Sequence, residues 1–159
     1  MPNIECLLTL NDRLLMIEAE PGLNRLLPIQ AEVRAGESPL AACTREVRER
    51  IGFSVSPSCA GVIYAAEDAE HDYTLVFIAD APPAAANLAG TSLRWVELQG
   101  IKQHEAVPAL HREMVPLLLT ADGPLVVFLD GNKGEEPTLR DSAPIPHARL
   151  SPLVFAIAE

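Results

Sequence analysis

Lysine is nearly missing from this 159-residue chain. Of its 12 basic residues only Lys102 and Lys133 are lysines, and 22 acidic residues leave a formal net charge of -10. Gripping a polyanion across a surface needs clustered Lys and Arg, so the balance argues against a nucleic-acid partner. It leaves room for a small phosphate-bearing ligand, which one local cation can hold. Long apolar runs are also missing: no stretch approaches the roughly 20 residues that span a bilayer. Met1-Pro2-Asn3-Ile4-Glu5 lacks the basic-then-apolar pattern of a leader. The chain therefore reads as cytoplasmic, with no membrane partner. Cysteine is sparse, and Cys6, Cys43 and Cys59 are odd in number and far apart, which favours free buried thiols over disulfides or zinc. His71, His104, His111 and His147 share no ligand spacing with each other or with cysteine, so surface or capping roles are expected. No Gly-x-Ser-x-Gly surrounds Ser38, and no internal repeat is present.

What is present suffices for one core: 48% of residues are hydrophobic in a chain of single-domain length. Ile4 to Thr9 and Arg13 to Glu18 read as strands split by a tight turn at Leu10-Asn11-Asp12. Arg25 to Pro28 reads as a short extended piece. Cys59 to Ala65, Tyr73 to Ala79, Leu93 to Leu98 (with the single tryptophan, Trp95) and Pro124 to Asp130 read as further strands. Pro108 to Thr120 reads as a helix that Pro116 kinks or stops early. From Gly131 to Pro152 the composition turns to Gly, Pro and charge, a loop or tail with Leu153 to Ala158 as an edge strand. Interleaved strands and helices favour a mixed sheet flanked by helices.

The strongest helix signal lies in the middle. Ser38 is a natural N-cap, Pro39 suits the first turn and Gly52 marks the stop. Leu40, Cys43, Val47 and Ile51 form one apolar stripe, and Glu46, Glu49 and Arg50 then share a neighbouring face within about 100°. Two or three carboxylates on one face beside a loop suit a hard cation. The same residues also read as a solvated face, with Glu46 and Arg50 as an i,i+4 ion pair.

The segment from Ala31 to Phe53 resembles the Nudix box. Glu37, Arg45, Glu46, Val47, Glu49, Gly52 and Phe53 fall on that motif's intervals, and Leu93-Arg94-Trp95-Val96-Glu97 is similar to a strand common in these proteins. The resemblance implies an α+β Nudix fold, an α/β/α sandwich with a central mixed β-sheet over residues 1–130. Residues 131–159 would be a Pro/Gly-rich extension packed on, or swapped with, that domain. It implies a Nudix pyrophosphohydrolase that cleaves the diphosphate of a nucleoside diphosphate derivative. Glu46 and Glu49 would be the catalytic residues and the ligands of Mg2+ or Mn2+. Arg34, Arg45 and Arg50 would contact substrate, and Glu37 and Gly36 would order the loop.

Two departures stand out. Ala31 replaces the opening Gly, with Gln30 before it, so two Cβ atoms crowd a phosphate approach. Arg50 replaces the second Glu of the Glu-Glu pair, taking the formal charge of those three side chains from -3 to -1 (two Glu and one Arg). At about 4 Å and an effective dielectric near 20, one charge is worth roughly 4 kcal/mol against a monocation before screening. Glu67, Asp68, Glu70 and Asp72 could replace the missing acid, although a solvated turn also explains them. Three readings remain open: a metal-dependent hydrolase, a nucleotide-binding module in which Arg50 stands in for the cation, or a scaffold serving a protein partner or homodimer.

Overall fold

The computed structural model describes residues 2–65, 73–88, 92–131 and 136–145. Its central strand, β1 (Asn3–Leu10), sends alternate side chains into two cores. Ile4, Cys6 and Leu8 enter the cluster shared with helix α1 (Pro39–Ile51), and Leu7 enters the cluster shared with helix α2 (Ala109–Thr120). The strand is covered on both faces, which is why its sequence is almost continuously apolar. A two-residue turn at Asn11 and Asp12, with φ of 49° and 61°, leads into β2 (Arg13–Glu18). Its left-handed backbone matches the twist of the paired strands.

β3 (Leu26–Leu27) and β7 (Leu93–Glu97) both pair with β2. β4 (Ile29–Glu32) pairs antiparallel with β1, and β6 (Tyr73–Asp80) pairs parallel with it. β5 (Ser58–Ala65) lies between β6 and β8 (Leu125–Asp130), and β9 (Thr138–Pro144) closes that edge. The result is the mixed sheet expected from the sequence, with α1 on one face and α2 on the other. No helix among the described residues is long and apolar enough to cross a membrane.

Local chemistry sets the ends of α1. Ser38 Oγ accepts a hydrogen bond from the Ala41 N–H at 3.1 Å, and Gly52 ends the helix at φ 77° with its N–H on the Arg48 carbonyl. The buried face is Pro39, Ala42, Cys43, Val47 and Ile51, and Leu40 is 42% exposed. Leu40 therefore does not belong to the apolar stripe. Residues four apart drift by only about 40°, so a stripe that leaves through Ile51 enters through Pro39.

The structure departs from the sequence reading elsewhere too. Ile29–Glu32 forms a strand with its alternate residues, Ile29 and Ala31, buried, a period too short over four residues to stand out in the sequence. α2 runs through Pro116 to Thr120, because losing one backbone bond is offset by burial of Met114, Val115 and Leu118. Residues 138–144, read as tail, form β9. Its side chains are mostly exposed and it is held by antiparallel pairing to β8, so no apolar alternation marks it. The edge strand expected at Leu153 to Ala158 lies outside the described residues.

Two features fix the packing between elements. At Gly61 a Cβ would collide with the Leu125 carbonyl oxygen of β8, so β5 and β8 pair this closely only because residue 61 has no side chain. Cys6 and Cys43 are buried free thiols that meet between β1 and α1, while Cys59 on β5 is half-buried. The hydrogen bond that the Cys43 thiol gives to Cys6 and the surrounding apolar medium push it far above its ordinary range.

Candidate functional site

A cleft of about 560 Å³ opens where α1 passes the edge formed by β1 and β4. Helix and loop contribute Arg34, Arg45, Glu46 and Arg50 to its lining, and the strands contribute Glu5, Gln30 and Ala31. The helical period places Glu46 and Arg50 one turn apart on α1, so both border the cleft.

Arg45 organises this region. Its Nε and Nη2 donate to the two Glu37 carboxylate oxygens at 2.8 and 3.1 Å, and Nη2 also donates to the Glu32 carbonyl of β4 at 2.9 Å. Its Nη1 donates to Glu46 Oε2 at 3.1 Å and lies 3.6 Å from Glu49 Oε2. Glu37 accepts a further hydrogen bond from the Arg34 N–H at 3.0 Å across a loop that turns at Gly36, where φ is 77°. The Arg45 guanidinium, with the Arg34 N–H second, holds the Glu37 carboxyl down to about 2 from 4.5. The paired Glu37 pushes Arg45 still higher. One guanidinium thus ties strand, loop and helix together.

The remaining charges close on one another. Arg50 Nε donates to Glu46 Oε1 at 2.9 Å, so both oxygens of Glu46, whose side chain is 15% exposed, carry a guanidinium partner. Glu49 is freer: its side chain is 52% exposed and its nearest cations, Arg34 and Arg45, stand at 3.7 and 3.6 Å. Glu37, Glu46 and Glu49 face Arg34, Arg45 and Arg50, and the group is formally neutral.

That donor set does not fit a divalent cation as it stands. Among the described residues no three His, Cys, Asp or Glu side chains gather into a group able to hold a metal. Glu46 would have to exchange two charge-assisted hydrogen bonds for the ion, and the one half-free carboxylate, Glu49, cannot supply a site alone. Glu67, Asp68, Glu70 and Asp72 lie outside the described residues.

Sequence spacing missed a second group in the cleft. Glu5 is 7% exposed on β1, and its Oε1 accepts from Gln30 Nε2 at 3.2 Å. His111 Nε2, reaching from α2, lies 3.1 and 3.3 Å from the two Glu5 oxygens. His111 is 8% exposed, not the surface or capping residue expected. The correction has a physical basis: 106 positions separate the partners, so no local spacing could link them. The one signal available was a carboxylate inside the apolar run of β1, which needs a buried partner.

No family model matches the chain, and no curated protein does. Solved structures do. The mutator MutT protein from Bacillus halodurans superposes with a TM-score of 0.69 at 17% identity, over 89% of this chain and 95% of that one. A NUDIX hydrolase from Nitrosomonas europaea gives 0.53 at 21% identity, over 74% and 84% of the two chains. An ADP compounds hydrolase gives 0.57 at 17% identity, over 74% and 70%. At these identities the likeness establishes the fold.

Proposed function

On this Nudix fold, we propose that the cleft binds the diphosphate of a nucleoside diphosphate derivative through guanidinium groups, with Arg50 occupying the place where the box resemblance puts a metal-binding carboxylate. The carrying observation is Arg50 at the cleft rim, half-exposed and hydrogen-bonded to Glu46 at 2.9 Å. A guanidinium so placed can turn from a carboxylate to phosphate oxygens and offer two parallel donors. Arg34, more exposed and held only at 3.7 Å by Glu49, supplies a second cation at the same rim. Arg45 is already saturated, and its part is to hold the loop.

A second reading is hydrolysis of the bound diphosphate with Mg2+ or Mn2+. The box spacing of Glu37, Arg45, Glu46, Glu49 and Gly52 and the half-free Glu49 favour it. It requires Glu46 to leave both arginines. Either reading accommodates residues 131–159 as an extension of the same domain; of these, Thr138–Pro144 pairs with β8. A cytoplasmic monomer or homodimer is compatible with both.

Calorimetric titration of ADP and ADP-ribose in excess chelator separates the two. Guanidinium binding predicts that both bind without metal and that Arg50→Ala weakens them at least tenfold, the loss of a charge-assisted contact of roughly 1.5–3 kcal/mol. Phosphate release that needs Mg2+ and disappears in Glu49→Ala, with no binding in chelator, overturns it in favour of hydrolysis.

A further inference from the structure

Glu5 is a nearly buried carboxylate in the cleft lining whose hydrogen-bond partners among the described residues include no arginine. Glu5 projects from β1 to the α2 side of the sheet, and its partners are Gln30 and His111. The Glu5 carboxylate can only accept, so His111 Nε2 carries the proton shared between them. His111 Nδ1 is buried with no hydrogen-bond partner among the described residues. Glu5 is among the residues that line the cleft.

The lone pairs can be counted. Oε1 takes both Gln30 and His111, which fills it, while Oε2 takes only the longer His111 contact at 3.3 Å. One acceptor position on Oε2 is left. Gln30 pairs with Glu5 across the β1–β4 ladder, and Glu32, whose carbonyl Arg45 holds, pairs with Asn3 two residues along. Two strand residues span about 7 Å. The Arg45 anchor on β4 and this acceptor are therefore about that far apart along the strand, and Arg34 and Arg50 line the same cleft.

Resting on the diphosphate reading above, we infer that Glu5, held by Gln30 and His111, is the specificity-determining acceptor for a single hydroxyl or amino donor on the organic part of the ligand. Glu5 touches ligand directly, while Gln30 and His111 act as positioning residues. The cleft thereby prefers organic diphosphates to inorganic pyrophosphate. An acceptor left unpaired beneath a bound ligand is costly, so the preference arises as much from rejecting ligands that lack the donor as from holding those that have it.

The experiment is calorimetric titration of the full chain, in chelator, with pyrophosphate, ADP and ADP-ribose. The expected result is that at least one organic diphosphate binds tenfold or more tightly than pyrophosphate. Glu5→Gln should abolish that preference without weakening the binding of pyrophosphate, whose repulsion by the carboxylate it removes. Gln30→Ala, a change at a side chain exposed on β4, should reduce the preference without loss of fold and keeps the test open if Glu5→Gln unfolds. Equal weakening of all three ligands in either folded variant, or no change in Glu5→Gln, overturns the inference. So does an absence of preference in the wild-type protein. If no probe binds the wild-type protein, the diphosphate reading itself fails, and the inference with it.

Discussion

Arg50 Nε lies 2.9 Å from Glu46 Oε1, one turn further along α1, and the pair leaves Glu46 with no free oxygen. Arg50 acts twice on cation binding: it adds a positive charge and it occupies the neighbouring carboxylate. Replacing it reverses both effects. Arg50→Glu should therefore tighten Mn2+ binding at least tenfold in a calorimetric titration. That gain is a cautious fraction of the roughly 4 kcal/mol available at about 4 Å before screening, because the position is half-exposed. Unchanged affinity would show that charge at residue 50 does not control the site.

Glu37 gives the chain a specific acid sensitivity. Its carboxyl is held down to about 2 from 4.5, chiefly by Arg45, so the folded state favours the ionised form. A depressed carboxyl stabilises fully above the unfolded value, and that stabilisation drains away as pH falls from about 4.5 towards about 2. Glu37→Gln should lower the melting temperature near neutral pH. The gap from wild type should close across that acid window, as followed by circular dichroism. A gap independent of pH would mean that the ion pair adds nothing to stability.

Gly61→Ala tests the closeness of β5 and β8. The new methyl would meet the Leu125 carbonyl oxygen, a backbone atom that cannot swing aside. The expected loss is about 1–3 kcal/mol, read as a lower midpoint in urea unfolding. An unaffected midpoint would mean that the two strands separate without cost.

Much of this molecule could be read from its sequence because the signals were local. Ser38, Pro39 and Gly52 bound α1 through chemistry confined to a few residues, and Asn11-Asp12 announced its hairpin in the same way. The intervals from Glu37 to Gly52 were legible too, since the contacts among those side chains follow helical spacing. What escaped depended on distant partners. β9 is a strand because β8 offers it a free edge, and its own residues, Thr138-Leu139-Arg140-Asp141-Ser142-Ala143-Pro144, show no apolar alternation. β4 exists because Arg45 and β1 hold it, and His111 is buried because Glu5 waits on β1. The saturation of Glu46 was half legible. The Arg50 pairing is an ordinary helical neighbour effect, but the Arg45 contact depends on how the loop at Gly36 folds back.

The three free thiols turn the protein into its own unfolding clock. Cys6 and Cys43 are sealed where β1 meets α1, and Cys59 stands half-open on β5, its thiol also pushed up by burial. An alkylating reagent reaches the first two only when helix and sheet part, whereas fraying of the start of β5 is enough to expose the third. The ratio of the two modification rates therefore separates local breathing from global opening, with no introduced label and no change to the chain.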